Sequence, residues 1–165
     1  MTRTTIGVVV LPDGALGVVL DEARRGYPEE VCGVLVGREE RMTGGQAQEQ
    51  GRGGSGRRVV ARVVPVMNVC LDERERRYLI DPVTLLGIER EAEAEGLEVI
   101  GFYHTHPDHP AVPSGFDREH SWPWYTYIIV NVQDGEPGDV RAWRLLADRS
   151  GFEEETLEDG SEGEA

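Results

Sequence analysis

The chain has 165 residues, only two cysteines, and a formal net charge of −14, from 31 acidic residues against 17 basic ones. That length suits one domain with a real core, and the acidity excludes the basic footprint of a general nucleic-acid binder. Cys32 and Cys70 are too few for a disulfide framework and fit a reducing, cytoplasmic setting. The apolar run at residues 6–11 is too short for a membrane span and carries no cleavage pattern.

In chain order, residues 5–11 (TIGVVVL) predict a strand closed by the turn Pro12-Asp13-Gly14. Residues 15–26 place Leu16, Val19, Leu20 and Ala23 on one helical stripe that stops at Gly26. EVCGVLVG (30–37) predicts a buried strand. Residues 43–57, dense in Gly, Gln and Ser, predict a flexible hairpin loop. A strand at 58–66 follows, then an amphipathic helix over 81–96 with Asp81 as N-cap and Pro82 in its first turn.

Next come the strand EVIGFYHTH (98–106), a proline-rich loop, a short helix from about Ser114, and strands at 125–132 and 140–147. The last fourteen residues hold seven acids and no base, which predicts a solvated, disordered tail over 151–165. Helices interleave with strands, so the expected class is α/β (α+β). We expect a single mixed β-sheet flanked by helices, in one domain over 1–150.

Three of the four histidines lie between 104 and 109. A strand sends residues i and i+2 to the same face, so His104 and His106 converge while Thr105 points away. Imidazole nitrogen suits zinc, and a catalytic zinc needs a third protein ligand plus an open position. Asp117 is the strongest candidate: it sits on the first turn of the helix beginning near Ser114, three residues on and therefore a neighbour. Ser114 and Asp117 alone also read as an ordinary helix-start pair.

The pattern His104-Thr105-His106-Pro107, with seven residues between His106 and Ser114 and two between Ser114 and Asp117, resembles the signature of the JAMM (MPN-type) zinc metallopeptidases. That family also carries an upstream glutamate followed by two residues and a glycine, matched by Glu30-Val31-Cys32-Gly33. Glu29 is the rival, and the glycine spacing selects Glu30.

The resemblance covers roughly residues 16–146 and implies a cytidine-deaminase-like JAMM/MPN fold. It implies one Zn²⁺ held by His104, His106 and Asp117, with Glu30 as general acid–base and Ser114 donating to the oxyanion. The prokaryotic branch implies a peptidase or isopeptidase. Its substrate would be a bond after the C-terminal Gly-Gly of a ubiquitin-like or sulfur carrier protein. The carrier's tail would add as a strand, and residues 68–81 are the expected edge, with Arg74 and Arg76 on one face.

Other readings compete. HTHPDH also matches the His-x-His-x-Asp-His of metallo-β-lactamase-like binuclear hydrolases, which would enlist Asp108 and His109. Only His120 follows as a further histidine, and Pro110 would break the helix expected after that motif. RadC proteins share His-x-His-Pro but usually continue Ser-Gly, where this chain has Asp108-His109. A catalytically silent MPN scaffold would lack ligands that this chain retains. Cys32 shares a face with Glu30 and reads best as a buried small hydrophobe. His120 is expected half-exposed on its helix, and Trp122, Trp124 and Trp143 beneath the sheet.

Overall fold

The computed structural model describes residues 7–40 and 56–160. Its elements are β1 (Val8–Leu11), α1 (Ala15–Gly26), β2 (Cys32–Glu40), β3 (Arg57–Val66), α2 (Pro82–Ala94) and β4 (Glu98–Pro107). They continue with α3 (Gly115–His120), β5 (Thr126–Gln133), β6 (Glu136–Leu145) and β7 (Phe152–Asp159). The strands close into a barrel in the order β1-β3-β2-β4-β5-β6-β7. β1 runs parallel to β3 and β7, and β4 to β5, while the remaining pairs are antiparallel. The sheet is therefore mixed, as expected, and its closure is the addition the structure makes.

The alternation of side chains builds two cores. Leu35, Tyr103, Ile128 and Val130 point to the face covered by α1, where Val19, Ala23 and the partly buried Leu16 and Leu20 meet them. Val34, Val36, Phe102 and Tyr127 point to the other face, covered by Ile88 and Ala92 of α2. α2 begins as its sequence prescribes: the Asp81 carboxylate accepts from the Thr84 N–H at 3.1 Å, and Pro82 occupies the first turn. His104 and His106 continue the Phe102 face, so they emerge on the α2 side at the end of β4.

A parallel pair needs a crossover connection. Residues 108–125 supply it between β4 and β5, and they carry α3 back over the end of β4. The topology thus returns Ser114 and Asp117 to the histidines.

Three expectations need correction. The acidic tail is not disordered at 152–159: these residues form β7, which pairs with both β6 and β1 and closes the barrel. Two arginines of β6 account for it. Arg141 takes Glu154 in a two-pronged ion pair at 2.8 and 2.9 Å, and Arg144 meets the buried Glu155 at 3.2 Å. Thr126 also donates to Glu155 at 2.8 Å, and Leu157 packs on the core.

Residues 68–81 are not a strand but an irregular segment with a turn at 74–76, where Arg76 and Arg77 both pair with Glu73. Arg74 and Arg76 therefore do not share the face of an extended edge. Trp143 is buried, but Trp122 and Trp124 are more than half exposed and stack on each other. Of the glycine-rich stretch expected to be a flexible loop, residues 43–55 lie outside the described residues, while Arg57 already opens β3.

Candidate metal centre

His104 and His106 leave β4 with their Nε2 atoms 3.2 Å apart. Thr105 between them faces the other way, and its hydroxyl accepts from the Val31 N–H at 2.9 Å. One Asp117 oxygen lies 3.2 Å from His104 Nε2 and the other 3.0 Å from His106 Nε2. All three side chains are buried.

Ser114 and Asp117 form a reciprocal capping box, and the two readings of this pair turn out to be one arrangement. The Asp117 N–H donates to Ser114 Oγ at 3.1 Å, and the Ser114 N–H donates to Asp117 Oδ2 at 2.9 Å. The cap that starts α3 therefore aims the carboxylate at the imidazoles. Ser114 is exposed, and the cap uses its oxygen as an acceptor, leaving its O–H as a donor.

His106 Nδ1 lies 2.8 Å from the Pro110 carbonyl, a group that can only accept. The N–H is therefore on Nδ1, and in the neutral ring Nε2 carries a lone pair toward the site. Two imidazole Nε2 atoms and the two oxygens of one carboxylate thus meet at 3.0–3.2 Å. Ligand atoms bound at about 2.0–2.1 Å in a tetrahedron lie roughly 3.3 Å apart, so the cluster has the dimensions and donor types that fit zinc. A proton satisfies such atoms in pairs, whereas a cation satisfies all three together.

Glu30 precedes β2 and is 3% exposed, whereas Glu29 is exposed to solvent. One oxygen of Glu30 also lies within 4.8 Å of both histidine nitrogens, so Glu30, His104 and His106 form a second possible ligand set. Electrostatics separates the two carboxylates. Burial pushes Glu30 up to about 7, against the pull of His104 and His106. Burial also opposes ionisation of Asp117, but His104, His106 and the Ser114 N–H outweigh it and hold that carboxyl well below its usual range.

Asp117 is thus held ionised, as a ligand must be, while in the metal-free protein Glu30 keeps a proton more readily than an ordinary carboxyl. Glu30 Oε2 has no hydrogen-bond partner among the described residues. For His106, burial is outweighed by Asp117, and its pKa is raised.

The glycine of the Glu-x-x-Gly pattern has a steric reason. Gly33 faces Tyr103 across the β2–β4 ladder, and a Cβ there would sit 2.1 Å from the tyrosine ring.

The binuclear reading is not supported. Asp108 turns away from the histidines, accepting from the Tyr27 hydroxyl at 2.7 Å and the Asp134 N–H at 2.9 Å. His109 is exposed. Cys32 is buried beside Glu30, and burial together with the Glu30 charge pushes its thiol up to about 12, which suppresses the thiolate. His120 is exposed and stacks on Phe116 instead of reaching the centre.

Two residues that the sequence reading missed border the site. Tyr78 stacks on the His104 ring at 4.5 Å and 23°. Asn68 donates to the Glu30 carbonyl at 3.0 Å. Both lie in the irregular segment after β3, where no periodicity marks them.

Residues 12–146 match the family described as prokaryotic homologs of the JAB domain. A desampylase from Haloferax volcanii is 38% identical over 68% of this chain and 73% of its own length. A probable TtuB-protein conjugate cleaving protease from Thermus thermophilus is 38% identical over 81% of each chain. A solution structure of a protein from Desulfitobacterium hafniense superposes with a TM-score of 0.70 at 27% identity, covering 92% of both chains. The crystal structure of a JAB1/MPN domain protein from Archaeoglobus fulgidus shares the fold at a TM-score of 0.51 and 19% identity, covering 90% of this chain and 96% of that one.

Proposed function

The chain belongs to the prokaryotic JAB (JAMM/MPN) family, and on that premise we propose that it is a zinc-dependent peptidase or isopeptidase. Its substrate is a bond after the C-terminal Gly-Gly of a ubiquitin-like or sulfur carrier protein. The observation that carries this reading is the convergence of His104, His106 and Asp117 within 3.2 Å beside the buried Glu30. The substrate class is supported by the relatives' names, a desampylase and a TtuB-protein conjugate cleaving protease.

His104, His106 and Asp117 would hold one zinc, three protein ligands being the number a catalytic zinc site uses. When bound there, zinc supplies Lewis acidity and makes water nucleophilic near neutral pH. Glu30 accepts the proton of the attacking water and returns it to the leaving amine, a role for which its buried place beside both histidines suits it. Ser114 donates its O–H to the oxygen of the tetrahedral intermediate, and losing such a donor costs ~10²–10³ in rate. A Gly-Gly end suits a narrow passage, since glycine lets the backbone approach closely.

The test combines metal analysis with cleavage. Native mass measurement should find one zinc per chain. Incubation with carriers bearing extensions beyond Gly-Gly should yield a single cut, read by mass spectrometry. Asp117→Ala should lose both zinc and cleavage, while Asp108→Ala keeps the zinc. Two metals per chain, or metal lost from Asp108→Ala but not from Asp117→Ala, would point to the binuclear arrangement instead. A chain that binds no zinc and cuts no carrier would be the silent scaffold.

A further inference from the structure

Asn68 follows β3 and belongs to none of the motifs above, yet every hydrogen-bonding position of its side chain is used. Its Nδ2 donates to the carbonyls of Glu30 and Arg77, each at 3.0 Å. Its Oδ1 accepts from the N–H groups of Cys70 and Leu79, each at 3.1 Å. One amide thus ties the outgoing and returning limbs of the segment 67–81 together and joins both to Glu30. The limbs also meet directly, through the Val69 N–H to the Leu79 carbonyl at 3.0 Å.

Glu30 needs such support because it stands before the first residue of β2, outside the ladder. Its N–H donates to the Arg74 carbonyl of the same segment at 2.7 Å. Both backbone polar groups of Glu30 are therefore held by a stretch of chain with no regular structure of its own. Tyr78, stacked on His104, projects from that stretch as well. Residue 68 is the point where these connections meet.

We propose that Asn68 is a positioning residue that sets the Glu30 carboxylate for proton transfer, acting through the segment 67–81. The proposal rests on the reading of Glu30 as general base. A misplacement of about 1 Å in such a group can cost ~10² in rate. The four hydrogen bonds of the Asn68 side chain reach neither β4 nor α3, which carry the three proposed zinc ligands, so turnover should fall while zinc is retained.

Asn68→Asp is the sharpest variant. It keeps an acceptor for Cys70 and Leu79 but turns an oxygen toward the Glu30 and Arg77 carbonyls. On a Gly-Gly-amide reporter, kcat should fall by ~10–10²-fold with KM nearly unchanged and one zinc retained. In a Glu30→Gln background the same substitution should change the residual rate by less than about 2-fold, because the two residues act as one unit.

Amide exchange adds a readout independent of turnover. The Glu30 N–H should lose protection while the amides of β4 and β5 keep theirs. Asn68→Ala serves the same measurements where Asn68→Asp fails to fold. Full kcat in the single variant, a loss that multiplies with Glu30→Gln, or unchanged Glu30 protection overturns the proposal. If the base assignment itself is wrong, Glu30→Gln alone stays active, a result distinct from all of these.

Discussion

At the scale of single residues, the two buried carboxylates of the centre are driven in opposite directions. Imidazoles and an N–H hold Asp117 ionised, while burial dominates at Glu30 and favours its neutral form. This has a consequence for stability in protein stripped of metal by a chelator. The Glu30 carboxyl titrates near its ordinary 4.5 when unfolded and at about 7 when folded. Between those values the native state binds a proton that the unfolded chain has released, so stability falls as pH rises from about 4.5 to 7 and then levels.

The contribution is on the order of 3 kcal/mol at most. Glu30→Gln should therefore stabilise the metal-free protein at pH 8 and leave it nearly unchanged at pH 4.5, as read from thermal unfolding midpoints. A gap that is equal at both pH values would contradict burial as the cause. The His-x-His pair was legible in the sequence because a strand's period of two forces convergence. The choice of Glu30 over Glu29 rests there on spacing alone; in the structure Glu30 is buried and Glu29 exposed.

At the scale of elements, segments with one clear period were legible: α1 by its apolar stripe, α2 by its cap and proline, β2 and β4 by their apolar runs. β7 was not. Its acids read as solvated because their partners, Arg141 and Arg144, lie on a strand distant from the tail's own composition. The segment 68–81 reads as an extended pairing edge from the family resemblance, with the Arg74 and Arg76 spacing in support, but hydrogen bonds with the Asn68 amide tie it into an irregular clasp.

The β7 correction is testable by truncation. Ending the chain after Gly151 removes the strand that joins β6 to β1, and should abolish the cooperative thermal transition or lower it steeply. Ending it after Gly160 should leave the transition where it was. A chain ending at Gly151 that unfolds at the full-length midpoint would restore the disordered-tail reading.

At the scale of the whole molecule, the barrel and its crossover solve one problem: bringing together residues more than eighty positions apart. Glu30 arrives ahead of β2, His104 and His106 at the end of β4, and Asp117 on the helix of the β4–β5 connection. The fold class was legible from the interleaving of helices and strands. Closure into a barrel was not, because it depends on the β1–β7 pairing and therefore on the strand that composition hid.

The central claim is that this assembly hydrolyses a carrier's C-terminal bond by zinc and Glu30 acting together. Its most direct test is the cleavage rate of a Gly-Gly-extended carrier, measured by mass spectrometry for wild type and Glu30→Gln at matched zinc content. We predict one cut after Gly-Gly by wild type and a loss of ~10²–10⁴ in Glu30→Gln with zinc still bound. Equal cleavage by the two proteins, or undiminished cleavage by wild type after the zinc is chelated away, would contradict the account.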